Sequence, residues 1–267
     1  MYDVIIMLAI LKLGGSILCD KNTPFSVKTD DLKRMSLEIK KAIEYYKNKG
    51  EILNLIIVHG GGSFGHPVAK KYIKTNENGE KVFFNMEKGF WDIQNAMRKF
   101  NNIVIEELHQ QEVPAVSIQP SSFILFDEKG ELHFDTYAIE GMLKRNLIPV
   151  IHGDIVLKGE NNYKIFSGDH ALPYLSKKLN PDLSLHASDV DGVYDLDKKT
   201  IKKINSDNIN DVLKCLKPSN KQDITGGMYL KVMECYNLGI KTIIFNGSKK
   251  DNIYKSLIGE VNGTKIN

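Results

Sequence analysis

Short apolar runs alternate with longer amphipathic segments along most of the chain. Residues 4–13 and 54–58 are almost continuously apolar, which is typical of strands buried on both faces. Between them, residues 30–49 carry apolar side chains at three- and four-residue steps, which predicts a helix with one buried face. The same criteria predict further strands at 115–118, 148–152, 183–187 and 242–245, and helices at 67–72, 87–110, 137–145, 168–179, 207–216, 227–238 and 250–257.

This order of elements predicts an α/β fold. Buried strands that alternate with helices indicate a three-layer αβα sandwich with an open, mainly parallel central sheet. Two small β-hairpins are expected within residues 123–134 and 155–166, where strand-like runs flank turn residues. We expect one domain over residues 1–267, with an N-terminal substrate-binding lobe (1–179) and a C-terminal nucleotide-binding lobe (180–267).

Composition narrows the class of protein and its partners. The 267 residues have a net charge of +3, so charge gives no reason to expect a nucleic-acid partner. The longest apolar run, 4–11, is far shorter than the roughly 20 residues that cross a bilayer. Three cysteines without C-x-x-C spacing favour reduced thiols. We therefore expect a cytoplasmic protein without a membrane partner.

Glycine-rich loops follow several predicted strands, at 14–16, 60–66, 153–154 and 188–192. In an open parallel sheet, ligands bind beyond the carboxyl ends of the strands. Glycines bring backbone N–H groups close to an anion, and the next helix adds its N-terminal donors. Two such strand–loop–helix units predict two phosphate-bearing groups that face each other.

Charged side chains beside these loops support the same interpretation. Lys12 lies at the end of an apolar strand, where a buried ammonium needs a phosphate or a carboxylate nearby. His66 stands at the mouth of a predicted helix and can donate a hydrogen bond to an anionic oxygen. His59 precedes the glycines, where loop packing and substrate contact are both open.

Residues 60–67 also contain parts of two other nucleotide-binding motifs. Gly60, Gly62 and Gly65 form G-x-G-x-x-G, so a dinucleotide-binding unit with Glu87 as its acid is one alternative. That alternative leaves Lys12 and the other loops without a role. A Walker A loop is excluded, because His66-Pro67 stands where Lys-Ser/Thr should follow.

Three ordered segments resemble the amino acid kinase family. They are Lys12-Leu13-Gly14-Gly15-Ser16, then Ser188-Asp189-Val190-Asp191-Gly192-Val193-Tyr194, then Thr225-Gly226-Gly227-Met228 with Lys231. Residues 59–67 further resemble the family members that phosphorylate a phosphate or phosphonate, the isopentenyl phosphate kinases and the fosfomycin kinases. The resemblance implies ATP-dependent phosphorylation of isopentenyl phosphate, with Mg²⁺, by a cytoplasmic homodimer. A fosfomycin-type kinase and a non-catalytic nucleotide-binding module stay open.

The resemblance also implies a role for individual residues. Catalytic roles fall to Lys12, Lys21, His66 and Asp169. Substrate contacts are implied for Gly61, His66 and Gly168. The resemblance also implies an apolar tail pocket walled by residues of the following region, namely Phe83, Met86, Gly89, Phe90, Ile93 and Met97. The implied ATP-binding residues are Lys12, Gly14, Gly15, Ser16, Gly62, Asp189, Gly192, Gly227 and Lys231. No protein-held metal is implied. His170 departs from the family pattern, since an acidic residue is expected there.

The two lysines that flank the first glycine loop generate the first prediction. Lys12→Ala and Lys21→Ala should each lower kcat by on the order of 10²–10³, because each removes a cation from a transition state that gathers negative charge. KM should change little. Steady-state kinetics of the purified variants measures this, and turnover near that of the wild type would remove the lysine from the site.

Overall fold

The structure is a computed structural model that describes residues 4–20, 22–75, 81–216 and 227–267. Within these ranges eight strands form one large sheet. Their spatial order is β12 (Lys203–Ile204), β14 (Thr264–Ile266), β13 (Thr242–Asn246), β11 (Leu183–Ser188), β1 (Ile6–Leu13), β2 (Ile52–His59), β8 (Ile148–His152) and β5 (Ala115–Ile118). Neighbouring strands are parallel except β13 and β14.

Smaller sheets and the helices complete the described fold. One small sheet has the order β10 (Asn162–Phe166), β9 (Asp154–Lys158), β6 (Leu125–Phe126) and β7 (Leu132–His133), and another pairs β3 (Ile73–Thr75) with β4 (Lys81–Phe83). The helices are α1 (Gly15–Leu18), α2 (Thr29–Asn48), α3 (Gly62–Lys70), α4 (Met86–Gln110), α5 (Tyr137–Leu143), α6 (Gly168–Leu179), α7 (Ile209–Leu216), α8 (Gly227–Asn237) and α9 (Asn252–Leu257), with a 3₁₀ turn at Pro120–Ser122.

Side chains of β1 alternate between two buried layers. Leu11 and Leu13 pack in a cluster with α2, α4 and α9, whereas Ile10 packs in a second cluster with α5, α6, α7 and α8. A strand covered on both faces has to be apolar on both, which explains the continuous apolar run. The predicted αβα sandwich with a mainly parallel sheet is confirmed, and so are both hairpins.

Both predicted lobes contribute to the same sheet. β11 lies after residue 180 in the chain, yet it pairs directly with β1. The proposed division into lobes at residues 179 and 180 therefore stays a prediction. At the far edge, β14 runs antiparallel to β13. Its three residues lie between glycine and asparagine positions and carry too short an apolar pattern to indicate a strand from the sequence.

Helix α3 begins at Gly62, inside the glycine cluster, and not near Pro67 as predicted. Pro67 has no N–H to donate to the carbonyl of Ser63 one turn earlier. That carbonyl instead accepts a hydrogen bond from the Phe25 backbone N–H at 3.0 Å. The Ser63 hydroxyl also donates to the carbonyl of Ser26 at 2.8 Å. Ser63 thus holds residues 25–26 against the second glycine loop through both its carbonyl and its hydroxyl.

Within the described ranges, no helix combines the length and the apolar character that a bilayer crossing requires. Cys19, Cys215 and Cys235 are free thiols, and Cys19 and Cys235 are buried.

A buried carboxylate joins α2 to α9. Glu38 is 5% exposed, and its Oε1 accepts hydrogen bonds from Arg34 Nη1 at 2.7 Å and from the Asp251 N–H at 3.0 Å. Its Oε2 accepts from the Ile253 N–H at 2.9 Å. One side chain therefore accepts hydrogen bonds from backbone N–H groups at the start of α9, which have no partner within the helix.

Replacing this carboxylate by an amide should destabilise the fold. Glu38→Gln turns one acceptor oxygen into a donor that faces backbone N–H groups, and an unsatisfied buried donor costs about 1–3 kcal/mol. Urea unfolding should show a lower midpoint with an unchanged slope. Glu44→Gln, on the exposed face of α2, serves as the matched control and should barely shift the midpoint. An equal effect of the two variants would contradict the capping role.

Candidate active site

The carboxyl ends of β1, β2 and β11 open into one cleft with a volume of about 750 Å³. Its lining includes Lys12, Gly14, Gly15, Ser16, Gly60, Gly61, Gly62, Ser63, His66, Pro67, Lys70, Ser167, Gly168, Asp169, Ser188, Asp189, Val190, Gly227, Met228 and Lys231. Because these three strands are neighbours and parallel, the loops that follow them meet at one edge of the sheet. The helices α6 and α8 begin at the same place.

The first two glycine loops touch each other. A Cβ atom on Gly15 would lie 2.7 Å from the Cα of Gly62, closer than real side chains approach a backbone. Gly62 has a φ of +49°, and a Cβ there would lie 2.5 Å from the Cys19 sulfur. Glycine is thus required at both positions for contact and at Gly62 also for backbone conformation. The two loops form one continuous backbone surface in the cleft.

Three charged side chains from distant parts of the chain meet behind these loops. Lys12 Nζ donates a hydrogen bond to Oδ1 of Asp169, and Lys231 Nζ lies 3.4 Å from Oδ2. Lys12 and Asp169 are only 3% and 6% exposed. Gly168 lies against the Lys12 stem, since a Cβ there would be 2.9 Å from the lysine Cε. Of the two partners left open for Lys12 by the sequence, the carboxylate is therefore present.

Burial and pairing act in opposite directions on this cluster. Burial lowers the pKa of Lys12 to about 8, against the attraction of Asp169. Burial would raise the pKa of Asp169, but Lys12 and Lys231 hold it well below its usual range. At neutral pH the three groups carry two positive charges and one negative charge. The cluster thus has an excess positive charge with which to attract an anion.

An apolar pocket continues from the cleft between α3, α4 and the β9–β10 hairpin. Its lining includes Ala69, Ile93, Met97, Ile165 and Phe166, and a Cβ on Gly65 would lie 2.7 Å from the Met97 sulfur. His66, an exposed side chain of α3, lines both the polar cleft and this pocket. It therefore stands where an anionic head and an apolar tail of one ligand would meet.

The structure brings most of the predicted site residues into these two spaces. Ile93 and Met97 line the apolar pocket. Phe83, Met86, Gly89 and Phe90 line neither space, so their substrate contact stays a prediction. Gly192 faces β14, where a Cβ would be 2.5 Å from Thr264 Oγ1, and its contact with ATP also stays a prediction. Lys21 lies outside the described residues, as do Thr225 and Gly226.

Several lining residues were not predicted. Lys70 lies four positions after His66 in α3, and therefore on the same face of that helix. Predicting that the helix begins inside the glycine cluster would have identified Lys70 as a neighbour of His66. Phe166 comes from the β9–β10 hairpin, whose position beside α4 no local pattern indicates. Asp154, in contrast, belongs to the 153–154 loop that the sequence had indicated.

His170 replaces the expected acidic residue for a structural reason. Its Nδ1 accepts a hydrogen bond from the Ser167 backbone N–H at 3.1 Å, which closes a capping box at the start of α6. Burial, with Lys164 nearby, lowers the pKa of His170 to about 4, so the ring stays neutral and can accept this bond. A neutral imidazole thus does the work of the usual glutamate or glutamine.

His59 lies beneath the second glycine loop and lines neither space. Its Nε2 is 3.1 Å from Asn101 Oδ1, its Nδ1 is 3.1 Å from the Gly60 carbonyl, and its ring stacks on that of His152. Burial lowers the pKa of both imidazoles to about 4. The geometry favours loop packing over substrate contact for His59.

The cleft has few ligands to offer a resident metal ion. Asp169 is already paired with two lysines. Within the described ranges, the metal-like group consists of Asp127, Glu131 and His133 on the β6–β7 hairpin, whose residues do not line the cleft. We therefore expect magnesium to arrive with ATP, as the co-substrate Mg-ATP.

The dinucleotide-binding alternative is wrong. That motif requires the strand after the glycine-rich helix to join the same parallel sheet. Residues 81–83 instead pair antiparallel with residues 73–75 in a separate two-stranded ribbon. Glu87 consequently does not follow a strand of the main sheet.

Comparison with known proteins gives the same classification as the fold and the cleft. Residues 7–246 match the model of the amino acid kinase family, and the chain belongs to that family. It is 58% identical to the isopentenyl phosphate kinase of Methanocaldococcus jannaschii over 260 residues, 97% of this chain and 98% of that protein. Identity to the isopentenyl phosphate kinase of Methanothermobacter thermautotrophicus is 35%, over 96% and 98% of the two chains.

A solved structure gives independent support. An isopentenyl phosphate kinase crystal structure is similar with a TM-score of 0.78 and 31% identity, and the match covers 97% of this chain and all of the other. The family match and the solved structure thus agree with the fold described above.

The lowered pKa of Lys12 generates a pH prediction. If the ammonium must be charged to hold phosphate, kcat/KM for ATP should fall as the pH rises through about 8, because the free enzyme then loses this proton. Lys12→Arg should remove this alkaline limb even where it lowers the plateau, since a guanidinium stays charged. Lys40→Arg, at the surface of α2, is the matched control. A limb that stays in place in Lys12→Arg would exclude Lys12 as its origin.

Proposed function

We propose that this chain transfers the γ-phosphoryl group of Mg-ATP to isopentenyl phosphate, which yields isopentenyl diphosphate and ADP. The observation that carries this proposal is the junction at His66, where a cationic cleft meets an apolar pocket. A short apolar chain with a phosphate head has these two properties. The 58% identity to a curated isopentenyl phosphate kinase supports the same substrate.

In this proposal the phosphates of ATP lie along the two touching glycine loops. Backbone N–H groups of those loops and the ammonium of Lys231 bind the anion. The nucleotide contacts comprise Lys12, Gly14, Gly15, Ser16, Gly62, Asp189, Gly192, Gly227 and Lys231. Asp169 holds Lys12 and Lys231 in place from behind, because both ammonium groups contact its carboxylate.

The acceptor binds on the other side of the glycine loops. Its tail enters the apolar pocket beside Ile93, while Gly61, His66 and Gly168 surround its phosphate. An oxygen of that phosphate attacks the γ-phosphorus, the bond from phosphorus to the bridging oxygen of the β-phosphate breaks, and the bond electrons leave with ADP. The attacking oxygen is already anionic near neutral pH, so no general base is needed. Lys12 and Lys21 offset the charge between the two anions.

His66 acts in this reaction as a hydrogen-bond donor to the acceptor phosphate. Its position on the cleft-facing side of α3, one turn before Lys70, lets the two side chains approach the same anion. Homodimeric assembly and a cytoplasmic location complete the proposal, and both rest on the family resemblance.

A panel of acceptors tests the proposed substrate. The purified enzyme receives Mg-ATP with isopentenyl phosphate, shorter and longer alkyl monophosphates, fosfomycin or N-acetylglutamate, and ADP release is measured. We expect the highest kcat/KM for isopentenyl phosphate. A higher value for fosfomycin would replace the proposed acceptor by a phosphonate, and ATP binding without turnover on any acceptor would indicate a non-catalytic module.

Substitution of His66 tests the placement of the acceptor phosphate. His66→Ala should lower kcat/KM for isopentenyl phosphate by on the order of 10²–10³, because it removes a donor from a developing anion. His66→Gln should keep part of the activity, since its amide can still donate. The control is His133→Ala, on the exposed β6–β7 hairpin, which should leave the kinetics unchanged. An unchanged kcat/KM in His66→Ala would refute this role.

A further inference from the structure

Two buried side chains stand directly behind the Lys12–Asp169 pair without a part in the proposed reaction. His186 lies on β11 opposite Lys12 in the strand register and is 1% exposed. Its Nδ1 is 4.0 Å from Asp169 Oδ1, and its Nε2 is 3.8 Å from the sulfur of Cys235. Cys235 is fully buried on α8, one turn after Lys231.

The number of protons on this pair follows from its surroundings. Burial, with Lys12 nearby, keeps the pKa of His186 well below its usual value, so the ring is neutral and carries one N–H. Burial also raises the pKa of Cys235 to about 12, so the sulfur stays protonated. One ring proton and one thiol proton are therefore shared among Nδ1, Nε2 and the sulfur.

The neighbouring carboxylate determines where these protons lie. An N–H at Nδ1 points its positive end toward Asp169, whereas a lone pair there would face a negative charge. With the proton on Nδ1, Nε2 has a lone pair that accepts the S–H of Cys235. The opposite arrangement gives Nε2 a proton and leaves the carboxylate facing the Nδ1 lone pair. Within the described ranges, Nδ1 has no hydrogen-bond partner of its own.

We propose that His186 is a positioning residue for Asp169, held by the Cys235 thiol as the tautomer with its proton on Nδ1. The inference rests on the proposed kinase reaction, in which Lys12 and Lys231 must turn part of their N–H groups toward phosphate. As they do so, the carboxylate loses donors, and the N–H of His186 compensates. A neutral donor does this without adding a third positive charge to the cluster.

The charged groups around this pair come from three elements. They are Lys12 on β1, Asp169 on α6, and Lys231 and Glu234 on α8. Further out, Lys164 on β10 lies near Glu234 and near His170, the residue after Asp169. His170 is neutral near pH 7, because its pKa is about 4. The alkaline limb of kcat/KM therefore reports mainly on Lys12, whose pKa is about 8.

Nitrogen NMR of the wild-type protein tests the tautomer without any turnover. In protein labelled with ¹⁵N-histidine, the resonances of His186, assigned by their loss in His186→Asn, should show a protonated Nδ1 and an unprotonated Nε2. The reverse pattern would overturn the inference. A failure of the proposed reaction would leave this result untouched, so the two failures are distinguishable.

Matched substitutions test the effect on Lys12. The amide nitrogen of asparagine reaches the position of Nδ1, whereas that of glutamine reaches the position of Nε2. His186→Leu and His186→Gln should lower kcat by on the order of tenfold, a coupling typical of groups in contact. They should also move the alkaline limb of kcat/KM to lower pH. Without the His186 N–H, Asp169 is held less firmly beside Lys12, so it offsets less of the effect of burial and the pKa of Lys12 falls. His186→Asn should stay within about twofold of wild type.

Equal losses in all three variants, or none, would reduce His186 to a packing residue. Cys235 offers a second, milder route if the His186 variants fold poorly. Cys235→Ser keeps a donor for Nε2 and should leave the alkaline limb of kcat/KM at its wild-type pH. Cys235→Ala removes the donor and should move the limb to lower pH, as expected for His186→Leu. Identical limbs in Cys235→Ser and Cys235→Ala would overturn the role of the thiol.

Discussion

The buried pair of Lys12 and Asp169 is the interaction on which the site depends. An isolated ammonium in a protein interior costs several kcal/mol, and loss of one partner leaves an uncompensated charge. Because Lys12 ends β1 and Asp169 begins α6, their contact fixes the start of that helix above the sheet. Lys231 adds a second cation from α8. Three elements that are far apart in sequence are thereby held around one cleft.

The cleft and the apolar pocket beside this pair differ in their chemistry. The cleft at the ends of β1, β2 and β11 has backbone donors and excess positive charge, whereas the pocket between α3, α4 and the β9–β10 hairpin is mainly apolar. Helix α3 lines both spaces and contributes His66 to each of them. The contact between Gly15 and Gly62 joins the two glycine loops that line the cleft.

The sequence predicted the layers of the fold because buried strands and helices show a characteristic local pattern of apolar residues. Continuous apolar runs identified the central strands, and helical spacing identified α2 and α4 to within one residue at each end. Elements without such a pattern were missed, among them β14, with three residues, and the first turn of α3, which runs through glycines. Pro67 is typical of a helix start and therefore indicated a helix that begins there. Inside α3, the hydrogen bond that Pro67 cannot donate to the Ser63 carbonyl is replaced by one from the Phe25 N–H.

The sequence by itself determined the local chemistry: two glycine loops that approach anions, a lysine that needs a negative partner, and a histidine at a helix mouth. These follow from residue type and near neighbours. The family resemblance implied that Asp169 organises the lysines, but only the tertiary structure shows it in contact with Lys12, 157 residues away. It likewise placed His59 beneath a loop, gave His170 a capping role and set His186 against Asp169. Such contacts depend on the order of strands β11, β1, β2 and β8 in the sheet, which long-range pairing sets and no local pattern contains.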